Sequence, residues 1–115
     1  MRRPKRYVLI QLQTTTELTG YRDEFTNVLE QKLGAVNAVK AELHVPKTYR
    51  DTQSLILRVD NELKQRVLAT LAYIDTLNGV KTTFNPLTTS GVIDRVKTYH
   101  NEHKEALRNR KRVPA

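Results

Sequence analysis

The chain has 115 residues, of which 28% are charged and 38% hydrophobic, and its formal net charge is +8. It contains no cysteine, which excludes disulfides, thiolate nucleophiles and cysteine-based zinc sites. No apolar run reaches the roughly 18 residues of a membrane span, and the N-terminus lacks the apolar segment and cleavage site of a signal peptide. We therefore expect one intracellular domain without membrane contact.

The first predicted elements are a basic segment, a strand and a helix. The basic segment, residues 1–6, carries Arg2, Arg3, Lys5 and Arg6. Apolar side chains at alternate positions of residues 7–13 predict a strand with one fully apolar face. After a polar connector, apolar residues recur at helical spacing over residues 21–33, and Gly34 is placed to end that helix.

Two more strands are predicted in the middle of the chain. Residues 39–45 alternate between apolar and polar side chains, which is the period of a half-buried strand. Pro46 ends this strand or places it at a sheet edge. After a polar turn, residues 54–59 form a third strand that is nearly continuous in aliphatic side chains, with Arg58 as its one charge.

The remaining sequence predicts a helix, a weaker strand and a last helix. Residues 61–79 carry one apolar helical face and close with Asn-Gly, and Pro86 confines the strand over residues 80–87 to an edge. Thr89 and Ser90 offer N-cap groups to the last helix, whose apolar residues fade after Tyr99. The end of the chain is basic and contains Arg108, Arg110, Lys111 and Arg112.

This order of elements, β-α-β-β-α-β-α, predicts an α+β fold. The expected architecture is a ferredoxin-like or RRM-like sandwich, with a four-stranded antiparallel sheet, two helices on one face and an added C-terminal helix. The first and third strands are central in that topology, and they are also the two most apolar strands. We expect a basic arm over residues 1–6, a single domain over residues 7–107 and a basic tail over residues 108–115.

The division of charge points to a polyanion as the partner. The two ends hold eight of the 20 cations, and all 12 acidic residues lie in the neutral body between them. Such ends are typical of nucleic-acid-binding arms, although basic termini also occur without a partner or as localisation signals. We predict that RNA phosphates are bound by Arg2, Arg3, Lys5, Arg6, Lys97, Arg108, Arg110, Lys111 and Arg112. An RNA-recognition domain stacks bases on aromatic side chains of its sheet, but the first strand offers only Tyr7, so contact through phosphates is favoured.

The second face of the sheet is expected to need cover. Leu9 and Ile56 should lie side by side there, and the last helix has too short an apolar stripe to span four strands. We therefore predict a protein–protein contact at this face that includes Leu9 and Ile56. Arg58 is assigned to the same contact, with a partner carboxylate or a phosphate as its ligand, or else extends along the end of its strand without a ligand.

Side chains for catalysis or metal binding are few. His100 and His103 lie three positions apart, beside Glu102 and Glu105, so a metal pair is conceivable, but a solvated charged helix face explains the pattern better. Neither a glycine-rich phosphate loop nor a nucleophile motif is present. We predict no catalytic residue, no metal site and no cofactor in the protein.

Several stretches resemble the small protein subunit of archaeal and eukaryotic ribonuclease P, the Pop-five/Rpp-fourteen family. The family's Arg-Tyr at the first strand is matched by Arg6-Tyr7, and its Ile-Ile-Arg-Val strand by Leu55–Val59. Its Ser-Gly-Thr-Ile run is matched by Ser90–Ile93, with valine in place of threonine, and the glycine after its first helix by Gly34. The resemblance covers roughly residues 5–100, and its strength is the order and spacing of these runs.

The resemblance implies a non-catalytic subunit of an RNA-based endoribonuclease. Its implied partners are ribonuclease P RNA, a TIM-barrel-like protein subunit and, indirectly, precursor tRNA. The uncovered sheet face leaves a homodimer contact as the alternative to the barrel subunit. Mg²⁺ would be held by the RNA, which would cut the 5′ leader from precursor tRNA. The implied location is cytoplasmic in an archaeon and nuclear or nucleolar in a eukaryote. Two alternatives remain open: another ribonucleoprotein component, such as a ribosomal protein, and a ferredoxin-like regulatory or dimerisation module.

Overall fold

One antiparallel sheet organises residues 4–112, which are the part of the chain that the computed structural model describes. Within these residues the sheet has five strands, in the order β2-β3-β1-β5-β4. The strands are β1 (Lys5–Thr14), β2 (His44–Tyr49), β3 (Ser54–Asp60), β4 (Thr76–Leu77) and β5 (Val80–Ser90). The helices are α1 (Tyr21–Leu33), α2 (Ala35–Ala41), α3 (Lys64–Thr70) and α4 (Ile93–Arg110). The prediction of an α+β fold is confirmed, whereas the predicted count of four strands is wrong.

The two central strands are those with the longest aliphatic runs. β1 lies between β3 and β5, and β3 lies between β2 and β1, as predicted. In the antiparallel register Val8 is opposite Leu57, and Leu9 is opposite Ile56. Since neighbouring side chains on a strand point to opposite faces, this register gives the sheet two apolar faces, each of which needs helical cover.

The larger core lies between one sheet face and the helices α1 and α3. Side chains of β1 and β3, such as Ile10 and Leu57, are fully buried there against Phe25 and Leu29 of α1 and Val67 of α3. The apolar residues of α1 recur every four positions and so form one stripe along the helix. The full buried set of α1 is Tyr21, Phe25, Leu29 and Leu33.

The second face is covered by α4, and the expectation that this helix is too short is wrong. Leu9 and Ile56 have no exposed surface and form a second core with Val96 and Leu107 of α4. The buried side of α4 continues past Tyr99 because residues 100, 103 and 107 keep the helical spacing. At about 1.5 Å per residue, the 18 residues of α4 extend about 27 Å, which is most of the length of β1.

The second predicted strand is misplaced in the sequence interpretation. Residues 39–41 belong to α2, and Val39 is 77% exposed although it was expected to face the core. β2 starts only at His44 and contains Pro46, where the register with β3 shifts. Pro46 is tolerated because β2 is an edge strand and the irregular pairing needs no N–H at that position.

The predicted second helix is also shorter than expected. α3 covers Lys64–Thr70, a 3₁₀ turn covers Leu71–Tyr73, and β4 then pairs with β5. Asn78 and Gly79 both have positive φ (53° and 77°), and they connect Leu77 to Val80 as a two-residue hairpin turn. The Asn-Gly pair therefore closes a hairpin and not a helix, which is the source of the fifth strand.

Candidate nucleic-acid interface

Positive charge is gathered along one side of α4. We call this row the basic flank; it consists of Lys97, Lys104, Arg108 and Lys111. Its members are seven, four and three positions apart, which places them on one side of a helix with 3.6 residues per turn. Lys111 follows α4 directly and keeps helical backbone angles (φ −74°, ψ −12°). The acidic residues of α4 at positions 94, 102 and 105 fall outside this row.

The basic flank faces the turn between β2 and β3. Arg108 Nε donates a hydrogen bond to Asp51 Oδ2 at 2.5 Å, and Lys111 Nζ donates to the main-chain oxygen of Asp51 at 2.9 Å. The hydrogen bond from Arg108, with the positive charges of Arg108, Lys104 and Lys111, holds the pKa of the Asp51 carboxyl below its usual range. One carboxylate therefore meets three cations, and the surface keeps a net positive charge.

Beneath the basic flank, His100 joins α4 to the same turn. The His100 side chain is buried, and its Nε2 lies 2.7 Å from Oγ1 of Thr52. Its ring stacks on Tyr49 with 3.6 Å between the ring centroids. Burial lowers the pKa of His100, and the positive charges of Lys104 and Lys47 lower it as well. At neutral pH the imidazole is therefore uncharged. It connects α4 to the β2–β3 turn beneath the cationic surface.

Two cations of this surface, Lys47 and Lys104, were absent from the predicted set. Lys104 could have been found from the sequence, because its spacing from Lys97 and Arg108 is helical. Lys47 extends the surface onto β2, where its Nζ lies 5.4 Å from the ring centroid of Tyr49. Its position beside α4 depends on the packing of α4 over the face of Tyr49 and Ile56, a contact between segments far apart in sequence, which local spacing does not reveal.

The predicted RNA-binding residues of the N-terminal end are only partly placed. Arg2 and Arg3 lie outside the described residues, whereas Lys5 and Arg6 are the first residues of β1 and not part of a free arm. Lys5 forms an ion pair with Glu42, so much of its charge is already matched. The guanidinium of Arg6 donates to the main-chain oxygen of Lys5 at 3.2 Å.

The C-terminal basic residues belong largely to α4. Arg108 and Arg110 lie within the helix, and Arg112 pairs through its backbone with Thr14 at the end of β1. Since Lys5 and Thr14 are the two ends of β1, about 30 Å apart, Lys5 and Arg112 lie at opposite ends of the sheet. They do not form one cluster, and the basic flank extends between them.

The predicted protein-contact residues have different environments. Leu9 and Ile56 are covered by α4 and have no exposed surface with which to contact a partner. Arg58 is partly exposed and lies opposite Tyr7, at the end of the sheet where β1 begins and which α4 does not cover. A contact of Arg58 with a partner stays a prediction.

The two histidines considered as a metal pair point to different partners. His100 faces Thr52, as described above, whereas His103 Nδ1 lies 2.9 Å from the main-chain oxygen of Tyr99 and its ring stacks on that residue at 4.0 Å. Among residues 4–112, no three histidine, cysteine or acidic side chains come together as metal ligands would. No helix in the same range is both long and apolar enough to span a membrane.

An antiparallel sheet with helices on both faces, and with cations along the outer helix, defines a small basic α+β protein whose surface suits a polyanion. The sequence profile of the Rpp14/Pop5 family, a ribonuclease P family, matches residues 6–100. The chain belongs to the Rpp14/Pop5 family.

The fold has a counterpart among solved structures. The chain is similar to a chain in the cryo-EM structure of yeast ribonuclease MRP, with a TM-score of 0.63 over 92% of this chain and 96% of that one. The two sequences are 10% identical, so this likeness concerns the fold alone. No curated protein sequence matches the chain.

Proposed function

We propose that the chain is a protein subunit of a ribonuclease P/MRP ribonucleoprotein, where it binds and stabilises the RNA for 5′ processing of precursor tRNA. Membership of the Rpp14/Pop5 family is the observation that carries this function, and the fold shared with a chain of ribonuclease MRP is consistent with it. In this role the protein supplies binding energy and position, and the RNA supplies the Mg²⁺ ions and the chemistry.

The architecture supports the proposal through the arrangement of its charges. We propose that the core is ferredoxin-like, since β2, β3, β1 and β5 follow the order of that fold, and β4 is an addition at the edge beside β5. The basic flank and Lys47 present cations on a rigid helix and a rigid strand. Neutralisation of RNA phosphates by these cations would release counterions, so affinity should depend steeply on salt.

Partners follow from the same proposal. The RNA is the ribonuclease P RNA or its MRP relative, and precursor tRNA is reached through that RNA. The protein partner is a TIM-barrel-like subunit or a second copy of this chain. Because Leu9 and Ile56 are buried, a protein partner would have to contact an outer surface of the molecule and not the second sheet face.

RNA binding with charge-neutralised variants tests this function. We would replace Lys47, Lys97 and Lys104 together by glutamine and measure filter binding to ribonuclease P RNA transcribed in vitro, at several salt concentrations. Loss of three phosphate contacts should reduce the salt slope by about 2–3, at about 0.7–0.9 per contact, and weaken binding at every salt concentration.

A matched control removes the same charge elsewhere. Arg22, Lys32 and Arg66 are exposed on α1 and α3, which cover the opposite face of the sheet, and glutamine at these three positions should leave affinity and slope nearly unchanged. Equal loss in both triple variants would show that net charge alone is responsible. If the wild-type protein binds but neither triple variant loses affinity, these cations do not contact the RNA. Failure of the wild-type protein to bind this RNA would refute the proposed function.

A further inference from the structure

Four side chains form one row across the sheet at the end where β1 begins. Tyr7 of β1 is directly opposite Arg58 of β3 on one side and Ser90 of β5 on the other, and His44 of β2 is opposite Arg58. At about 4.8 Å between strands, the row is about 14 Å wide. The row lies on the same sheet face as Leu9 and Ile56, which α4 covers. Because α4 begins at Ile93 and runs toward the other end of the sheet, it does not continue over the row.

Arg58, at the centre of the row, lacks a hydrogen-bond or ion-pair partner among the described residues. Its Nε is buried and makes no hydrogen bond, and no ion pair or hydrogen bond of its guanidinium occurs with any residue from 4 to 112. A guanidinium always carries its charge, and a buried N–H without an acceptor costs free energy. The buried Nε is closed to solvent, but the side chain as a whole is partly exposed, so an acceptor from outside the chain can reach the end of the guanidinium.

The carboxylates at this end of the sheet are engaged by other groups. Asp60, two residues along β3 from Arg58, accepts a hydrogen bond from the backbone N–H of Glu62 at 2.9 Å and lies 3.9 Å from Lys5 Nζ. Glu42 forms an ion pair with Lys5. The negative charge close to Arg58 is therefore matched by Lys5, and the charge of Arg58 is left for an external anion.

A second cation stands beside Arg58 on the edge strand. Lys47 of β2 is opposite Ile56, the residue two positions before Arg58, so both cations lie on one sheet face. Lys47 is exposed, and its charge also reaches His100 beneath α4. Lys47 thus connects the positive charge of Arg58 at the sheet end to the positive charge of the basic flank on α4.

We propose that this sheet end is a phosphate site for RNA, in which the guanidinium of Arg58 donates hydrogen bonds to one phosphodiester and Lys47 adds charge. The inference rests on the proposed function and adds to it a site outside α4. The planar fork of arginine suits two phosphate oxygens at once, and the sheet fixes its origin between Tyr7 and His44. The site uses a guanidinium that makes no hydrogen bond or ion pair with residues 4–112.

Two substitutions of Arg58 separate charge from geometry. Arg58→Gln should weaken binding of a fluorescein-labelled ten-nucleotide oligouridylate by about tenfold or more and reduce the salt slope by about 0.7, the value for one phosphate of a single strand. Arg58→Lys should retain the slope but lose part of the affinity, since an ammonium lacks the fork. Arg66→Gln, the same charge change on α3, is the control and should alter neither.

An NMR titration of the wild-type protein gives a readout that does not depend on the folding of variants. The Arg58 Nε–H signal should shift when the oligouridylate is added, and inorganic phosphate should reproduce the shift only at much higher concentration. Saturation by inorganic phosphate at the concentration at which the oligouridylate saturates would indicate a site for free anions and overturn the RNA assignment.

The outcomes distinguish this site from the proposed function. If the triple lysine variant weakens RNA binding and Arg58→Gln behaves like Arg66→Gln, the phosphate site is refuted while the proposed function stands. If the wild-type protein binds neither the oligouridylate nor ribonuclease P RNA, both are refuted. If Arg58→Gln leaves RNA binding intact but weakens association with a protein subunit of the particle, the ligand of Arg58 is a carboxylate and the phosphate site is wrong.

Discussion

Truncation of Leu107 should destabilise the protein strongly, although this residue lies in the polar, basic end of the sequence. Leu107 has no exposed surface, and it packs in the second core with Leu9, Ile56 and Val96. Leu107→Ala removes three carbon groups, worth about 0.8 kcal/mol each in transfer free energy, or about 2.4 kcal/mol. A residual cavity adds to this loss, and the expected total is about 2.7–5 kcal/mol.

Urea unfolding followed by circular dichroism measures this loss directly. Val39→Ala is the control, because Val39 is 77% exposed on α2 and should change the free energy of unfolding by no more than about 0.5 kcal/mol. A loss below about 1 kcal/mol for Leu107→Ala, with an unchanged m-value, would show that the end of α4 does not pack on the sheet in solution. The second sheet face would then not be closed by α4.

Three further predictions concern titration, backbone and charge. Burial lowers the pKa of His100 below 6.5, so the unfolded chain takes up the proton more readily. The free energy of unfolding should therefore fall as the pH drops below about 7, and His100→Phe should flatten that fall in urea titrations. Gly34 has φ +86° with open space around it, so Gly34→Ala should cost about 1–3 kcal/mol from backbone strain alone, and a neutral result in the same assay would contradict the assigned backbone. Asp51→Asn removes the carboxylate that meets the basic flank, so RNA affinity should rise by about twofold to fivefold in filter binding, and a decrease would show that Asp51 mainly positions Arg108.

The elements predicted correctly from the sequence are those whose apolar residues follow either strand spacing or helix spacing, but not both. Val8, Ile10 and Leu12 alternate on β1, and Phe25 and Leu29 recur on α1, so strand and helix cannot be confused. The α2 segment carries Val39 in a period-two pattern that is incidental, because that side chain is exposed and its alanine neighbours favour a helix. Pro46 was expected to end the strand or lie at a sheet edge. It lies inside β2, because β2 is an edge strand whose register with β3 shifts at that point.

The candidate site was predictable only where it is local. Lys97 and Arg108 were expected to bind RNA, and helical spacing adds Lys104 to them. The arrangement of Arg58 between Tyr7 and His44 depends on strand pairing over long sequence distances, so only the fold shows that Arg58 has no partner among residues 4–112. The last helix is mostly polar after Tyr99, so its sequence did not show that it covers the second sheet face.

The buried amide of Gln11 links parts of the chain that are far apart in sequence. Its Nε2 donates hydrogen bonds to the main-chain oxygens of Thr52, at 3.0 Å, and of Leu107, at 2.6 Å. Together with the contact of His100 to Thr52, these bonds tie the turn between β2 and β3 to the end of α4, and we expect the two segments to unfold as one unit. In native-state hydrogen exchange, the amides of both segments should open together. RNA bound by α4 should therefore slow exchange in the turn as well as in the helix.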